Sequence, residues 1–244
     1  MARAADTTNM AAARPARGTA ADESGKPAKS TSGKAGSEAG TPRGRIDKRR
    51  AILAAAEDAF TREGYTLASL DTIAVEAGVS KPTIYNHFGG KENLFRTVIA
   101  EAAGESRERI LSALEDFPAD GAELPGRLTA IAHRVVECQA GAKGWALQRL
   151  VYAEAARFPD LYDTIRVGGT VQIVEALAGR LARLAHSGHL DLDDPVTAAG
   201  QFLALVAGDL PTLTALGTRP VDPDALDRAV AAGVTTFLRA FTPR

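Results

Sequence analysis

The chain has 244 residues, a mass of 25.5 kDa and a formal net charge of −1, which is enough for one large domain or two small ones. Forty-five per cent hydrophobic residues with only 5% aromatic ones favour a helical globular protein and disfavour an all-β fold. The single cysteine, Cys138, excludes an internal disulfide and a thiolate zinc cage. Because no apolar run approaches the ~20 residues that span a bilayer, we expect a cytoplasmic protein without a membrane partner.

Charge is distributed unevenly along the chain. Residues 1–44 carry a net charge of +3, residues 45–95 are neutral and residues 96–244 carry −4. The first segment lacks Leu, Ile, Val and Phe, so burial cannot offset its ordering entropy and we expect a disordered tail. Its basic end continues into a cluster of cations: Arg43, Arg45, Lys48, Arg49 and Arg50. Such a patch indicates contact with a polyanion, and a solvated tail before a helix is the alternative.

From residue 45 onward, apolar residues recur at helical spacing, and we find no period-2 strand pattern and no internal repeat. We expect a first helix that ends at Gly64, a second from Ser69 to Gly78, a third capped by Ser80 and a long fourth that begins at Lys91. Five more are expected at about 123–139, 145–158, 160–187, 195–216 and 223–241. The pair Gly168-Gly169 predicts a kink or a close approach in the seventh. The predicted fold is therefore all-α, with about nine helices.

The strongest local signal is the stretch from Leu70 to Phe88. A helix-turn-helix needs a small residue where its helices cross, a turn that tolerates glycine and apolar anchors that fix the second helix. Gly78 fits the turn and Ala74 fits the crossing. The apolar anchor positions are filled by Ile73, Ala77, Val79 and Ile84. This agreement favours a helix-turn-helix over an ordinary helical hairpin.

The same residues resemble a known family. The stretch Arg49 to Val98, and especially LDTIAVEAGVSKPTIYNHFGGKENLF, is similar to the DNA-binding domain of the tetracycline-repressor (TetR) family of bacterial transcription regulators. The resemblance implies an all-helical homodimer, with a helix-turn-helix DNA-binding domain over residues 45–95. It further implies an effector-binding and dimerisation domain over residues 96–244. The run WALQRLVYAEAARFPDL resembles the C-terminal module of an AefR-like subgroup.

The second helix of a helix-turn-helix presents its N-terminal half to the major groove, so its early exposed residues meet base edges. Here these are Lys81, which can donate to guanine, and Thr83, whose methyl can pack on thymine. Asn86 is a third candidate for base readout.

A second set of residues is expected to hold phosphates. Tyr85, His87 and Lys91 match family positions that contact the DNA backbone, and all three side chains can donate to phosphate oxygens. Ser69 and Thr72 could donate similarly from the start of the second helix. Alternatively, His87 is a helix-end cap and Lys91 an ordinary surface lysine.

Residues 43–50 are predicted to form a minor-groove arm, because an arginine pair on a flexible backbone suits the narrow groove beside a major-groove reader. The arginines concerned are Arg43, Arg45, Arg49 and Arg50. A disordered basic segment with no such role is the alternative.

The middle helices are the candidate effector pocket, since an apolar cavity with a few convergent polar groups is the usual ligand site. Polar or aromatic residues on these otherwise apolar helices are His133, Trp145, Gln148, Tyr152, Tyr162, Arg166 and Gln172. We expect two or three of the seven to line a pocket. The irregular spacing of His186, His189, Asp191, Asp193 and Asp194 favours a solvated connector over a metal site, so no metal or cofactor is expected.

The last two helices are the candidate dimer interface. Small residues allow close approach, and the larger apolar residues Phe202, Leu203, Val206, Val230 and Phe237 supply area for a four-helix bundle across a two-fold axis. Internal burial of these faces is the competing interpretation.

Together these features predict a ligand-responsive repressor that binds a palindromic operator as a homodimer and is released by a small molecule. A transcription activator and a ligand-independent regulator fit almost as well, and a helical protein adaptor is a remote alternative. Cys138, His133 and Ser187 beside His186 are the only nucleophile or base candidates, and no catalytic motif accompanies them, so we do not expect an enzyme.

Overall fold

Helices make up all the regular structure in the part of the chain that the computed structural model describes, residues 42–118 and 120–243. The eleven α-helical segments there are α1 (Pro42–Leu67), α2 (Leu70–Glu76), α3 (Lys81–Phe88), α4 (Lys91–Ala113), α5 (Leu124–Ala140), α6 (Ala142–Glu154), α7 (Pro159–Ile165), α8 (Val171–His186), α9 (Pro195–Ala207), α10 (Leu210–Leu213) and α11 (Pro223–Phe241). The all-α prediction is confirmed. The predicted disordered tail lies outside the described residues, except for positions 42–44, which belong to α1.

Two departures from the predicted helices have local causes. The predicted helix 160–187 is divided into α7 and α8 by a π-helical turn, Arg166–Thr170, that contains the glycine pair. Within this turn Gly169 is buried, and the Gly168 carbonyl accepts a hydrogen bond of 2.8 Å from Arg107 of α4. The predicted helix 195–216 likewise divides into α9 and α10. Helix α1 is interrupted at Gly64, where φ is +77°, close to its predicted end.

The turn between α2 and α3 is set by three residues. Gly78 takes φ of +64°, and the Val79 amide then donates to the Ala74 carbonyl at 2.9 Å, which closes the end of α2. Ser80 caps α3 by accepting from the Thr83 amide, and Pro82 occupies the first turn. Because Ile73 and Ile84 are fully buried, the two helices are held at a fixed angle, as the sequence predicted.

Two hydrophobic clusters lie under these helices. One, here called the N-terminal core, is built mainly from α1 to α4 and also includes Leu150, Val151, Phe158 and Leu161 of the α6–α7 region. The other, here called the C-terminal cluster, is built mainly from α5, α8, α9 and α11 with the end of α4, and includes Trp145. Within the N-terminal core the Phe158 ring lies 4.9 Å from that of Tyr65 and 5.4 Å from that of Phe95. The helix-turn-helix therefore shares its core with residues far along the chain.

Candidate nucleic-acid interface

Helix α3 has one buried and one exposed side. Ile84 and Phe88 are buried against the N-terminal core, while Lys81, Tyr85 and Asn86 are exposed. Tyr85 is 50% exposed. Thr83 is half-buried, and its hydroxyl shares a 2.8 Å hydrogen bond with the Ser80 hydroxyl. A short capped helix fixed from beneath thus presents donors outward, which is the geometry that major-groove readout needs.

Lys81 is held by an acidic partner that the sequence did not reveal. Its ammonium donates to the Asp71 carboxylate of α2 at 2.9 Å, and this hydrogen bond raises the pKa of Lys81. Both side chains are exposed, so solvent weakens the pair and Lys81 can exchange Asp71 for another anion or acceptor. Asp71 therefore positions a predicted base reader without removing its capacity to donate.

Three predicted phosphate contacts lie around this helix. Ser69 caps α2 by accepting from the Asp71 amide at 3.2 Å, which leaves its hydroxyl hydrogen free to donate outward. Thr72 on the first turn of α2 and Tyr85 on α3 are exposed. Their hydroxyls can donate to phosphate oxygens without base contact.

His87 lies on the last turn of α3, beside the start of α1. Burial lowers its pKa first, and the nearby cations Arg45, Arg49 and Lys48 lower it further. At neutral pH the imidazole is therefore uncharged, with one N–H available. An approaching phosphate would offset the repulsion from the three cations. The first turn of α1 has no acidic residue to oppose this positive charge.

Lys91 is engaged within the protein. Its ammonium donates to the Thr66 carbonyl at 3.1 Å and lies 4.7 Å from the Tyr65 ring centroid. Burial, followed by repulsion from Arg157, lowers its pKa. The ammonium has three donors, so contact with a phosphate stays a prediction, but the alternative of an ordinary surface lysine does not describe this environment.

The prediction of a flexible arm over residues 43–50 is wrong, because these residues form the beginning of α1. Arg49 donates to Glu101 of α4 at 2.5 Å, and its guanidinium lies 5.7 Å from the Phe88 ring centroid. Arg45 and Arg50 are exposed on the same helix, whereas the side chain of Arg43 lies outside the described residues. Contact with DNA through these arginines would therefore require a helix to approach the backbone rather than an extended arm to enter the groove.

The seven predicted pocket residues do not converge on one cavity. Tyr152, Tyr162, Arg166 and Gln172 are exposed, and Gln148 donates to the Tyr152 hydroxyl at 2.9 Å. His133 is half-buried and lies 3.7 Å from Asp227. Trp145 is 3% exposed in the C-terminal cluster, and its indole N–H has no hydrogen-bond partner within the described protein. The prediction assumed that polar residues on apolar helices point into a pocket, but four of the seven side chains face solvent.

The predicted dimer residues are mostly internal. Phe202, Val206, Val230 and Phe237 are all at most 3% exposed, and the Phe202 and Phe237 rings meet edge to face at 5.1 Å within one chain. Side chains without exposed area cannot bury more against a partner, so internal burial is correct for these four. Leu203 is half-buried. The exposed apolar surface of α9 instead includes Val196 and Leu205, at 54% and 39% exposure.

The capped helix α3, which packs on the N-terminal core and keeps one side exposed, is the arrangement of a helix-turn-helix DNA-binding protein. Two family models match the chain: bacterial regulatory proteins of the tetR family over residues 52–98, and the AefR-like transcriptional repressor C-terminal domain over residues 126–243. The chain belongs to the TetR family of DNA-binding transcriptional regulators. Members of this family are transcription factors and not enzymes.

Solved structures agree over most of the chain. A putative TetR-family regulator from Mesorhizobium loti matches 84% of this chain and 100% of its own with 28% identity and a TM-score of 0.73. The flavonoid-responsive regulator FrrA matches 81% of this chain and 98% of its own with 34% identity and a TM-score of 0.64. The resemblance therefore extends through both hydrophobic clusters.

Sequence similarity to curated proteins is more local. The transcriptional activator FasR of Mycolicibacterium smegmatis is 33% identical over 87 residues, which is 30% of this chain and 40% of that protein. The match to each of the first curated relatives spans two fifths or less of that relative's length. These partial matches therefore do not show which genes this protein regulates.

Proposed function

We propose that this protein is a homodimeric repressor that binds a palindromic operator and is released by a small-molecule effector. The observation that carries the proposal is the exposed side of α3, where Lys81, Tyr85 and Asn86 project from a helix fixed by Ile84 and Phe88. A regulator that acts on DNA in this way works in the cytoplasm.

Base contacts and phosphate contacts would be made by different residues of the α2–α3 unit. Lys81 would exchange Asp71 for guanine O6 and N7, with Asn86 and the Thr83 methyl as further contacts in the major groove. Tyr85, His87, Ser69 and Thr72 would bind phosphates and so fix the register. The cations of α1 beside His87 would extend this contact along the backbone.

Dimerisation is supported by the exposed surface of α9. An 18-residue stretch of Pro195–Leu213, which spans α9 and α10, has a mean hydropathy of 1.3, yet only 28% of that stretch is buried within the chain. By length and composition alone this segment could cross a membrane, and core helices of soluble proteins can have the same length and composition. An apolar face of this kind, rimmed by the small residues Ala204 and Gly208, suits packing against a second copy.

Helix α4 and the Phe158 contacts would carry the effector signal. α4 begins beside α3, packs in the N-terminal core and ends in the C-terminal cluster. A ligand that binds one arrangement of these helices better than another shifts the protein toward it, and the spacing of the two α3 helices changes with it.

Activation of transcription is the alternative to repression. The C-terminal family model describes repressors, which favours repression, whereas FasR is named as an activator. Activation by this chain would appear as loss of transcription of the neighbouring gene when the protein is deleted. Repression predicts the opposite change.

The proposal is tested by gel shift on the intergenic DNA beside the protein's own gene. We expect a discrete complex that survives excess random DNA and is weakened in Lys81→Ala. Arg109→Ala is the control, because it removes an exposed cation of α4 away from α3. Equal retention of intergenic and random duplexes by the wild-type protein would contradict sequence-specific regulation.

A further inference from the structure

A cleft of about 360 Å³ lies between the first half of α1, the middle of α4 and the start of α6. Its apolar wall is formed by Ile46, Leu53, Ala54, Val98 and Ala102, and its polar groups are Arg49, Arg50, Glu57, Glu101, Glu105 and Lys143. None of the seven residues predicted for the effector pocket lines it. The volume lies within the range of small-molecule sites, which begins at about 300 Å³.

Glu57 is the unusual group in this cleft. Its side chain is only 14% exposed, and one carboxylate oxygen, Oε2, accepts from the Lys143 ammonium at 2.6 Å. This contact raises the pKa of Lys143. The other oxygen, Oε1, is buried and has no hydrogen-bond donor among the described residues. A buried acceptor left without a donor is unfavourable, so the protein alone leaves this carboxylate half-satisfied.

The remaining charges of the cleft do not supply the missing donor. Arg49 pairs with Glu101 at 2.5 Å, Glu105 lies 3.9 Å from Arg109, and the exposed Arg50 makes no hydrogen bond to Oε1 of Glu57. Lys143 is 63% exposed, so it covers Oε2 from the solvent side. The Glu57 carboxylate is therefore short of one donor, and Leu53 and Val98 provide an apolar surface in the same cleft.

We propose that this cleft binds a small organic amine, whose protonated nitrogen displaces the exposed Lys143 ammonium and donates to the Glu57 carboxylate, while its apolar part packs against Leu53, Val98 and Ala102. A charge-assisted hydrogen bond to a buried carboxylate is stronger than one between neutral groups. An anion would meet the same carboxylate without a donor and is disfavoured.

Occupancy of the cleft would also reach the DNA-binding surface. The cleft joins α1 to α4 and, through the Glu57–Lys143 pair, to α6. Arg49 lines it and also contacts the Phe88 ring at the end of α3. An amine that competes with Lys143 for Glu57 would loosen the tie between α1 and α6. This regulatory consequence rests on the proposed function, whereas binding itself does not.

Isothermal titration calorimetry of the full chain with benzylamine, n-butylamine and the neutral benzyl alcohol tests the proposal. We expect saturable binding of the two amines only, weakened about tenfold or more by Glu57→Gln. Glu108→Gln, the same change on an exposed glutamate of α4, should leave amine affinity unchanged. Equal affinity for benzyl alcohol, equal affinity in Glu57→Gln, or no saturable binding of either amine to folded protein would overturn it.

Lys143→Met provides a second variant if Glu57→Gln does not fold. Removal of the competing ammonium should tighten amine binding severalfold, and an unchanged affinity would overturn the proposal. A gel shift with the intergenic duplex then separates the two claims. Amine binding without DNA binding contradicts the proposed function alone, and amine binding that leaves DNA affinity unchanged contradicts the regulatory consequence alone.

Discussion

The α2–α3 unit and the α9–α11 pair differ in what holds their residues in place. In the α2–α3 unit the residue type itself indicates each local role: Gly78 takes a positive φ, Ser80 caps α3 and Ile84 anchors α3 in the core. In the second, the helices are set by apolar periodicity, and Phe202 and Phe237 are as apolar as a residue at an interface would be. Turns and caps can be predicted from single residues. Whether an apolar side chain is buried inside the chain or against a partner depends on how all the helices pack.

Disruption of the dimer should give the largest effect and tests the α9 side of this comparison. Leu205→Glu places a carboxylate on the exposed apolar face of α9 and should yield a monomer. Loss of the second linked helix-turn-helix should weaken operator binding by about a hundredfold or more. Analytical ultracentrifugation and gel shift measure both quantities.

Leu216→Glu is the matched control, because Leu216 is 43% exposed in the loop after α10. It should remain dimeric with normal DNA affinity. A dimeric Leu205→Glu, or a monomeric one with undiminished affinity, would remove α9 from the account.

The shared core gives the largest effect on the free energy of unfolding. Phe158→Ala removes a ring that packs on Tyr65 and Phe95, and should lower the free energy of unfolding by about 3–5 kcal/mol. Urea unfolding followed by circular dichroism measures this change. Tyr162→Ala, at an exposed position four residues along, should stay within about 0.5 kcal/mol of the wild type. If Phe158→Ala lowered the free energy of unfolding by less than about 0.5 kcal/mol, the helix-turn-helix would not depend on this contact.

The sequence was sufficient for helix positions but not for tertiary partners. Pro195, Pro223 and Gly64 mark helix ends because their effects on the backbone are local. The pairing of Lys81 with Asp71, and of Glu57 with Lys143, joins different helices. No spacing rule connects residues 57 and 143. Four of the seven residues predicted for an effector pocket are exposed, because the spacing along one helix does not show which neighbouring helix covers a side chain.

Base readout by α3 gives an intermediate effect. Lys81→Ala should reduce the preference for the operator over random DNA by about 1–3 kcal/mol, because one bidentate base contact is lost. Competition binding at fixed salt measures the ratio. An equal loss of affinity on both DNAs would assign Lys81 to the phosphates instead.

The smallest effect is the pH dependence that His87 confers. Its pKa is lowered in the free protein, and a bound phosphate favours the imidazolium, so DNA affinity should rise severalfold as pH falls from 7 through the lowered pKa. Because the folded protein holds this proton less tightly than the unfolded chain, stability should fall below about pH 6.5. In His87→Gln both pH dependences should be reduced at constant salt. An affinity profile unchanged by His87→Gln would show that the imidazole does not contact phosphate.

The central claim is that two copies of α3 enter successive major grooves on one face of the duplex. Methylation interference at guanine N7 on the intergenic fragment tests it most directly, because N7 lies in the major groove. The account predicts two symmetric patches of interference separated by about 10 base pairs, both weakened in Lys81→Ala. A single patch, or binding that is indifferent to N7 methylation at every position, would contradict it.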